Sequence, residues 1–351
     1  MAPAERPPQQ GQQQGQQQQQ QQRVFTAREV QELADAGRFV YVCDGRVFDV
    51  DADALMHPGG RAVLEAHRGK DISEVFRGAA SGGASHAHSR GARALLEGYC
   101  VGALEGAAAG AGGARGPAAA AVIDESKPLL PQVAKLSPED YQAWVDAPST
   151  GHPIMFENEW MERMTCTQWY VIPLLWLPVA GALMWRAVSQ LGLPAGQLPW
   201  LAAVGVLGWQ LVEYSLHRWV FHLRPSGPET IKLHFMLHGH HHRWPMDTAR
   251  LVFPPLPAGL VMALFGVLLT ALVPQAYATA LLAGGIAGYV AYDTTHWALH
   301  SGAPDPFVTP TLRASHMEHH YQNDKVGYGI SSTLYDRLFG TLNPDLKTKV
   351  Q

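Results

Sequence analysis

The sequence predicts a small α+β domain tethered to an all-α membrane domain with four transmembrane helices and a histidine-rich cap. Three observations predict it. Residues 23–104 mix short alternating apolar runs with helical patterns, whereas the back half holds uncharged stretches of 22, 26 and 42 residues. An Ala/Gly-rich segment separates the two halves. Of 17 histidines, 12 fall between His217 and His320, beside the uncharged stretches.

At 351 residues the chain has room for about two domains. Lys plus Arg is 26 and Asp plus Glu is 30, a formal charge of −4, which argues against a nucleic-acid binder. Charged residues are 16%, below the roughly 25% of soluble domains. The three cysteines, Cys43, Cys100 and Cys166, have no CxxC spacing and are too few for a disulfide framework.

Residues 1–22 are a Gln-rich tract without the apolar core of a secretory leader, and they are expected to be disordered. Thr26-Ala-Arg-Glu29 fits a capping box opening a helix. Phe39–Cys43 and Arg46–Val50 read as strands joined by a tight Asp44-Gly45 turn. Helical patterns run through Leu64, Ile72 and Phe76, and again through Ala94–Leu96. In His57-Pro-Gly-Gly60 the proline fixes the chain direction, and the glycines let backbone approach a flat ligand. His88 follows 31 residues later in a small-residue loop. Two neutral imidazoles on opposite walls of a cleft can hold a haem iron from both faces, which leaves an electron carrier with no position for oxygen. Residues 25–104 resemble a cytochrome b5 haem domain on Val47-Phe-Asp-Val50, His57-Pro-Gly-Gly60, Asp71-Ile72, His88-Ser89, Leu95-Leu96, Tyr99 and Val101-Gly102. The resemblance implies His57 and His88 as axial ligands of haem b, with His86 as the competitor of His88.

Residues 105–124 are expected to be a linker and 125–351 the membrane domain. A spanning helix needs about 20 apolar residues. The spans are expected near 169–187, 200–220, 253–273 and 277–297, with Val273-Pro-Gln275 splitting the longest stretch. They form two hairpins, so both termini and the segments 213–252 and 293–351 share one face. That face carries nearly all the Lys and Arg, which makes it cytosolic. The terminal Lys347-Thr-Lys-Val-Gln351 fits an endoplasmic reticulum retrieval pattern.

Four histidine boxes lie on this face. They are His217/His222, His238/His241/His242, His296/His300 and His316/His319/His320. On an α-helix, positions i, i+3 and i+4 share a face, so each His-x-x-His-His box is expected to aim three imidazoles into one site. The i, i+5 spacing of His217 and His222 is about 140° off a common face, so that box is placed where its span ends or distorts. Ten imidazoles are too many for one ion and divide between two metals. Imidazole suits iron, copper and zinc alike. His234 and His240 break the spacing and read as supporting or surface residues, and His152 as a loop residue. A two-metal oxygen site needs two electrons per turnover, and the tethered haem domain supplies a carrier for them.

Residues 125–345 resemble the fatty acid hydroxylase superfamily on His217-Arg-Trp-Val-Phe-His222, Leu233–His242, Arg250-Leu-Val-Phe-Pro-Pro255, Tyr292-Asp-Thr-Thr-His296 and His316-Met-Glu-His-His-Tyr321. The resemblance implies a membrane monooxygenase that 2-hydroxylates fatty acyl chains of sphingolipids with O2. It implies the ten box histidines as catalytic metal ligands and an NADPH-dependent cytochrome reductase as electron donor. It also implies iron for the chemistry, with zinc an occupant of isolated protein. His240 departs from the family pattern and leaves the ligand assignment open between itself and its neighbours. The competing readings are a sterol or sphingoid-base hydroxylase or desaturase, and a non-catalytic haem- and metal-binding membrane protein.

Overall fold

The computed structural model describes residues 23–50, 61–78, 88, 90–106 and 123–343. The Gln tract, the His57-Pro-Gly-Gly60 turn, His86, linker residues 107–122 and the C-terminal lysines lie outside the described residues.

The front domain contains β1 (Val24–Phe25), α1 (Ala27–Asp35), β2 (Val40–Cys43), β3 (Arg46–Asp49), α2 (Arg61–His67), α3 (Ser73–Arg77), α4 (Arg90–Gly98) and β4 (Cys100–Leu104). The capping box at Thr26 is complete: Glu29 N donates to Thr26 Oγ1 at 3.1 Å, and Thr26 N donates to Glu29 Oε2 at 2.8 Å. Asp44 and Gly45 take φ of 50° and 75°, the left-handed pair that a two-residue hairpin needs between right-twisted strands. Strand order is β1-β4-β3-β2, with β1 parallel to β4 and the other pairs antiparallel. Phe25, Val30, Val40, Val42 and Val47 pack on one side, and Cys43, Phe48 and Phe76 form a separate cluster.

The back domain opens with α5 (Leu130–Val133), α6 (Pro138–Val145) and α7 (Glu159–Thr165). Leu129, Val133, Tyr141, Trp144 and Met155 pack on Ile231, Phe235 and Trp244, which fixes this segment over the second histidine box. Four long helices follow: α8 (Val171–Ser189), α9 (Leu198–Ser215), α12 (Pro255–Leu272) and α13 (Gln275–Ser301). Between them lie α10 (Pro228–His234) and α11 (His240–Arg243), and after them α14 (Pro310–Tyr321) and α15 (Leu334–Phe339).

The first three long helices are apolar and long enough to cross a membrane. They present Leu174, Leu207, Leu260 and Val267 outward. The fourth, α13, differs from its expected sister spans. It packs against α8, α9 and α12, and it is lined with buried Ala283, Gly284, Gly288 and Asp293. Its small residues serve close helix contact: a Cβ on Gly284 would sit 2.2 Å from Ala202 O, and one on Gly205 would sit 2.3 Å from Leu281 O. A helix surrounded by others can carry polar side chains inward, so its composition is less apolar than that of a lipid-facing span.

Candidate metal centre

The ten box histidines converge at the ends of α9, α10–α11, α13 and α14. They form two groups. His217, His222, His238, His242 and His319 make one; His241, His296, His300, His316 and His320 make the other, and within each group the ligand atoms lie within 4.8 Å of one another. All are buried except His222, which is half-buried. The groups abut, since the His320 ring lies 4.4 Å from His241 and 4.5 Å from His242.

Local backbone explains the convergence. After Ser215 the chain continues as a π-helix, Leu216–Phe221, and His222 N donates to His217 O at 3.2 Å. That i to i+5 bond stacks the two residues and brings their rings to 5.1 Å, the distortion the spacing required. A second π segment, Phe235–Gly239, precedes α11 and lifts His238 beside His242.

One expectation fails here. Neither His-x-x-His-His box aims all three imidazoles at one site: in each, the i, i+4 pair enters one group and the i+3 residue the other. His238/His242 and His319 share the first group, while His316/His320 and His241 share the second. Each i+3 side chain is rotated from its box partners, and with two sites side by side that rotation selects the other one.

The donor set fits metal ions. His217 Nδ1 lies 2.7 Å from Tyr328 O, His319 Nδ1 2.8 Å from Val326 O and His296 Nδ1 3.2 Å from Leu251 O. A carbonyl only accepts, so these partners assign the proton to Nδ1 and leave Nε2 a bare lone pair. Those Nε2 atoms face others: His217 to His238 at 3.1 Å, His222 to His319 at 2.9 Å and His241 to His296 at 3.0 Å. His316 Nε2 faces both His300 Nε2 at 2.8 Å and His320 Nε2 at 3.2 Å, while Nδ1 of all three has no partner among the described residues. An Nε2–H can serve one such neighbour, whereas a cation at each focus takes the Nε2 lone pairs of the whole group. Burial first, then the neighbouring imidazoles, hold His238, His241, His242, His316 and His320 well below the ordinary histidine range, so they remain neutral ligands.

The other histidines separate cleanly. His240 belongs to neither group; its Nε2 lies 3.7 Å from Asp247 Oδ2, and its ring packs on Phe235 and Trp244. His234 is buried rather than at the surface and meets Tyr141 Oη at 2.7 Å. His152 is in a loop, with Nδ1 2.6 Å from Asp247 Oδ1. His88 is half-buried, its ring stacked on Phe76 at 4.2 Å. Sequence reasoning overlooked Asp247 and the carbonyls of Leu251, Val326 and Tyr328. Asp247 carried a signal, as the acid nearest the second box; a carbonyl carries none.

A cavity of about 100 Å³ opens beside the metal centre. Phe221, Met236, Leu251, Phe253 and Ile330 give it apolar walls, and His238, His241 and His296 bring both groups to its surface. Arg250 on its wall pairs with Asp247 and Glu162.

A buried two-focus polyhistidine centre on membrane-type helices, beside an apolar cavity, defines the class: a membrane-type protein with a candidate two-metal centre and a separate small α+β domain. Residues 202–341 match the Fatty acid hydroxylase family model, and residues 26–105 match the Cytochrome b5-like Heme/Steroid binding domain. The chain is 36% identical to the fatty acid 2-hydroxylase of Homo sapiens across 93% of this chain and 97% of that protein. It is 33% identical to the ceramide very long chain fatty acid hydroxylase SCS7 of Saccharomyces cerevisiae, covering 92% and 95%. It is 40% identical to the dihydroceramide fatty acyl 2-hydroxylase FAH2 of Arabidopsis thaliana, covering 64% and 94%. A solved structure described as full-length scs7p, with only its hydroxylase domain visible, matches with a TM-score of 0.59 and 38% identity, over 64% of this chain and 86% of that one. The chain belongs to the fatty acid 2-hydroxylase family.

Proposed function

We propose that this protein hydroxylates carbon 2 of fatty acyl chains destined for sphingolipids, using O2 and electrons passed through its own haem domain. The observation that carries this reading is the pair of five-imidazole groups at the wall of an apolar cavity. His217, His222, His238, His242 and His319 would hold one metal, and His241, His296, His300, His316 and His320 the other. His57 and His88 would hold haem b. Redox-active metal, for which iron is suited and zinc is not, would supply the oxygen chemistry that places one oxygen atom on carbon 2 and the second in water.

The chain's own residues prepare that chemistry. The bonds from Nδ1 of His217, His296 and His319 to backbone carbonyls fix ring orientation and tautomer. Phe221, Met236 and Leu251 exclude water and receive the acyl chain. Asp247 and Glu162 pair the guanidinium of Arg250, and the Asp293 carboxylate on the same wall accepts from Phe253 N.

The domains divide as 1–22, 23–104, 105–124 and 125–351. Helices α8, α9, α12 and α13 would cross the endoplasmic reticulum membrane as two hairpins. Both termini, the haem and the metal centre then face the cytosol, where an NADPH-dependent cytochrome reductase supplies electrons. The test is expression in cells lacking 2-hydroxy lipids, followed by analysis of hydrolysed sphingolipids. Appearance of 2-hydroxy fatty acids is expected. Hydroxyl groups only on sterol or sphingoid base would favour the related oxidase, and no oxygen-dependent product would favour a binding protein.

A further inference from the structure

We infer that the segment Tyr328–Thr341 is a re-entrant membrane element whose exposed face, Leu334, Leu338 and Phe339, touches the acyl chains of the bilayer. The inference rests on the proposal that α9 spans the membrane. Glu213 and Gln210 lie within that helix, where an unpaired polar side chain is costly. Their partners come from this one segment. Ser331 N donates to Glu213 Oε1 at 2.9 Å, and Ser332 Oγ donates to Gln210 Oε1 at 2.9 Å. Tyr214 Oη meets Thr341 Oγ1 at 2.9 Å, and Tyr335 Oη donates to Leu207 O at 3.2 Å.

Helix rise turns these contacts into depth. With the far boundary at Leu198, beside Trp200, a hydrocarbon layer of about 30 Å ends near Arg218. Gln210 then lies about 12 Å and Leu207 about 16 Å below the near boundary. A segment that bonds to both must enter the layer.

It is built to do so. Non-helical backbone survives at membrane depth only where protein satisfies its polar groups. Asp336 is fully buried and accepts from Tyr328 N at 2.9 Å, Gly329 N at 2.8 Å and Thr341 Oγ1 at 2.8 Å. Outside this closed loop, Leu334, Leu338 and Phe339 are 46%, 69% and 44% exposed. Arg337 on the same helix is exposed too; its Nε donates to Thr333 Oγ1 at 3.2 Å, and a side chain of that length carries its charge toward the near boundary while its stem lies along apolar surface. They continue the outward face of Leu207 and Leu211 on α9. Phe339 stacks on Tyr214 at 5.2 Å, which joins the two surfaces. At its start, the same segment supplies the Tyr328 carbonyl to His217 and Ile330 to the cavity wall. The bilayer therefore borders the first histidine group.

The test places a nitroxide label at Leu338→Cys, or at Leu334→Cys on the same helix face, in the full chain with its three native cysteines replaced. Leu211→Cys and Lys325→Cys serve as lipid and water references, in proteins whose thermal unfolding matches that of the unlabelled chain. In vesicles, collision of the 338 or 334 label with a water-soluble nickel chelate should be about tenfold weaker than at 325, while collision with O2 should match that at 211. Nickel access at 338 and 334 but not at 211 overturns the re-entrant element and leaves the span intact. Nickel access at 211 as well overturns the span and this inference together. Exclusion of both nickel and O2 at 338 and 334 assigns the face to a protein partner and overturns the lipid contact.

Discussion

Asp247 is 1% exposed and held by three side chains. His152 lies 2.6 Å from one oxygen; Arg250, at 2.8 Å, and His240, at 3.7 Å, face the other. Burial opposes its ionisation, but the bond from His152 and the charges of its neighbours outweigh burial and hold the carboxyl below its ordinary range. The same bond raises His152 against partial burial, whereas burial brings His240 down to about 4 despite the carboxylate. The sign for His152 is fixed. A folded pKa above the unfolded value of about 6.5 gives stability that is whole below pH 6.5 and lost as pH rises through the folded value. The melting temperature of purified protein should therefore fall as pH rises above about 6.5, and His152→Gln should flatten that slope. Equal slopes in both proteins would show that the pair contributes nothing. Asp247→Asn should be far more damaging, by about 3–5 kcal/mol, because it strips a buried arginine of a partner.

At the scale of elements, the convergence of the histidine boxes was legible in their spacing, but their partition was not. Spacing within one helix reports which residues share a face; it does not report that two foci lie side by side, nor that π turns at Leu216–Phe221 and Phe235–Gly239 reset the phase. The partition makes sharp predictions. His238→Ala/His242→Ala and His241→Ala/His296→Ala should each lose metal from one group only, lowering bound metal from about two to about one per chain. Both should abolish hydroxylation. Loss of both metals from either pair would mean one cooperative centre instead of two. Glycine contacts between α9 and α13 hold the groups in register. Gly284→Val should cost about 1–3 kcal/mol by overpacking and lower metal content, because its Cβ would strike Ala202 O. Gly285→Ala, whose Cβ would meet only Gly205 O at 3.8 Å, should be tolerated. Equal thermal stability of the two variants would sink the close-packing account.

For the whole molecule, the two-domain plan follows from the contrast between a mixed front half and an uncharged back half. The hairpin Asp44-Gly45 and the capping box at Thr26 were readable because each depends on neighbours in the chain. The buried character of α13 was not, because an apolar run reads alike whether lipid or protein surrounds it. The same division of labour predicts how the molecule fails. Both histidine groups come from residues 217–320, and the proposed haem ligands, His57 and His88, lie outside that range, so each site should load without the other. His57→Ala should remove the low-spin haem spectrum, leave both metals bound and cut turnover at least about tenfold, no less than the loss of an outer-shell partner costs at a metal site. The histidine pair variants should do the reverse, keeping the haem spectrum while product formation stops. Full turnover in His57→Ala, at normal protein abundance, would mean that electrons reach the metal centre without this haem.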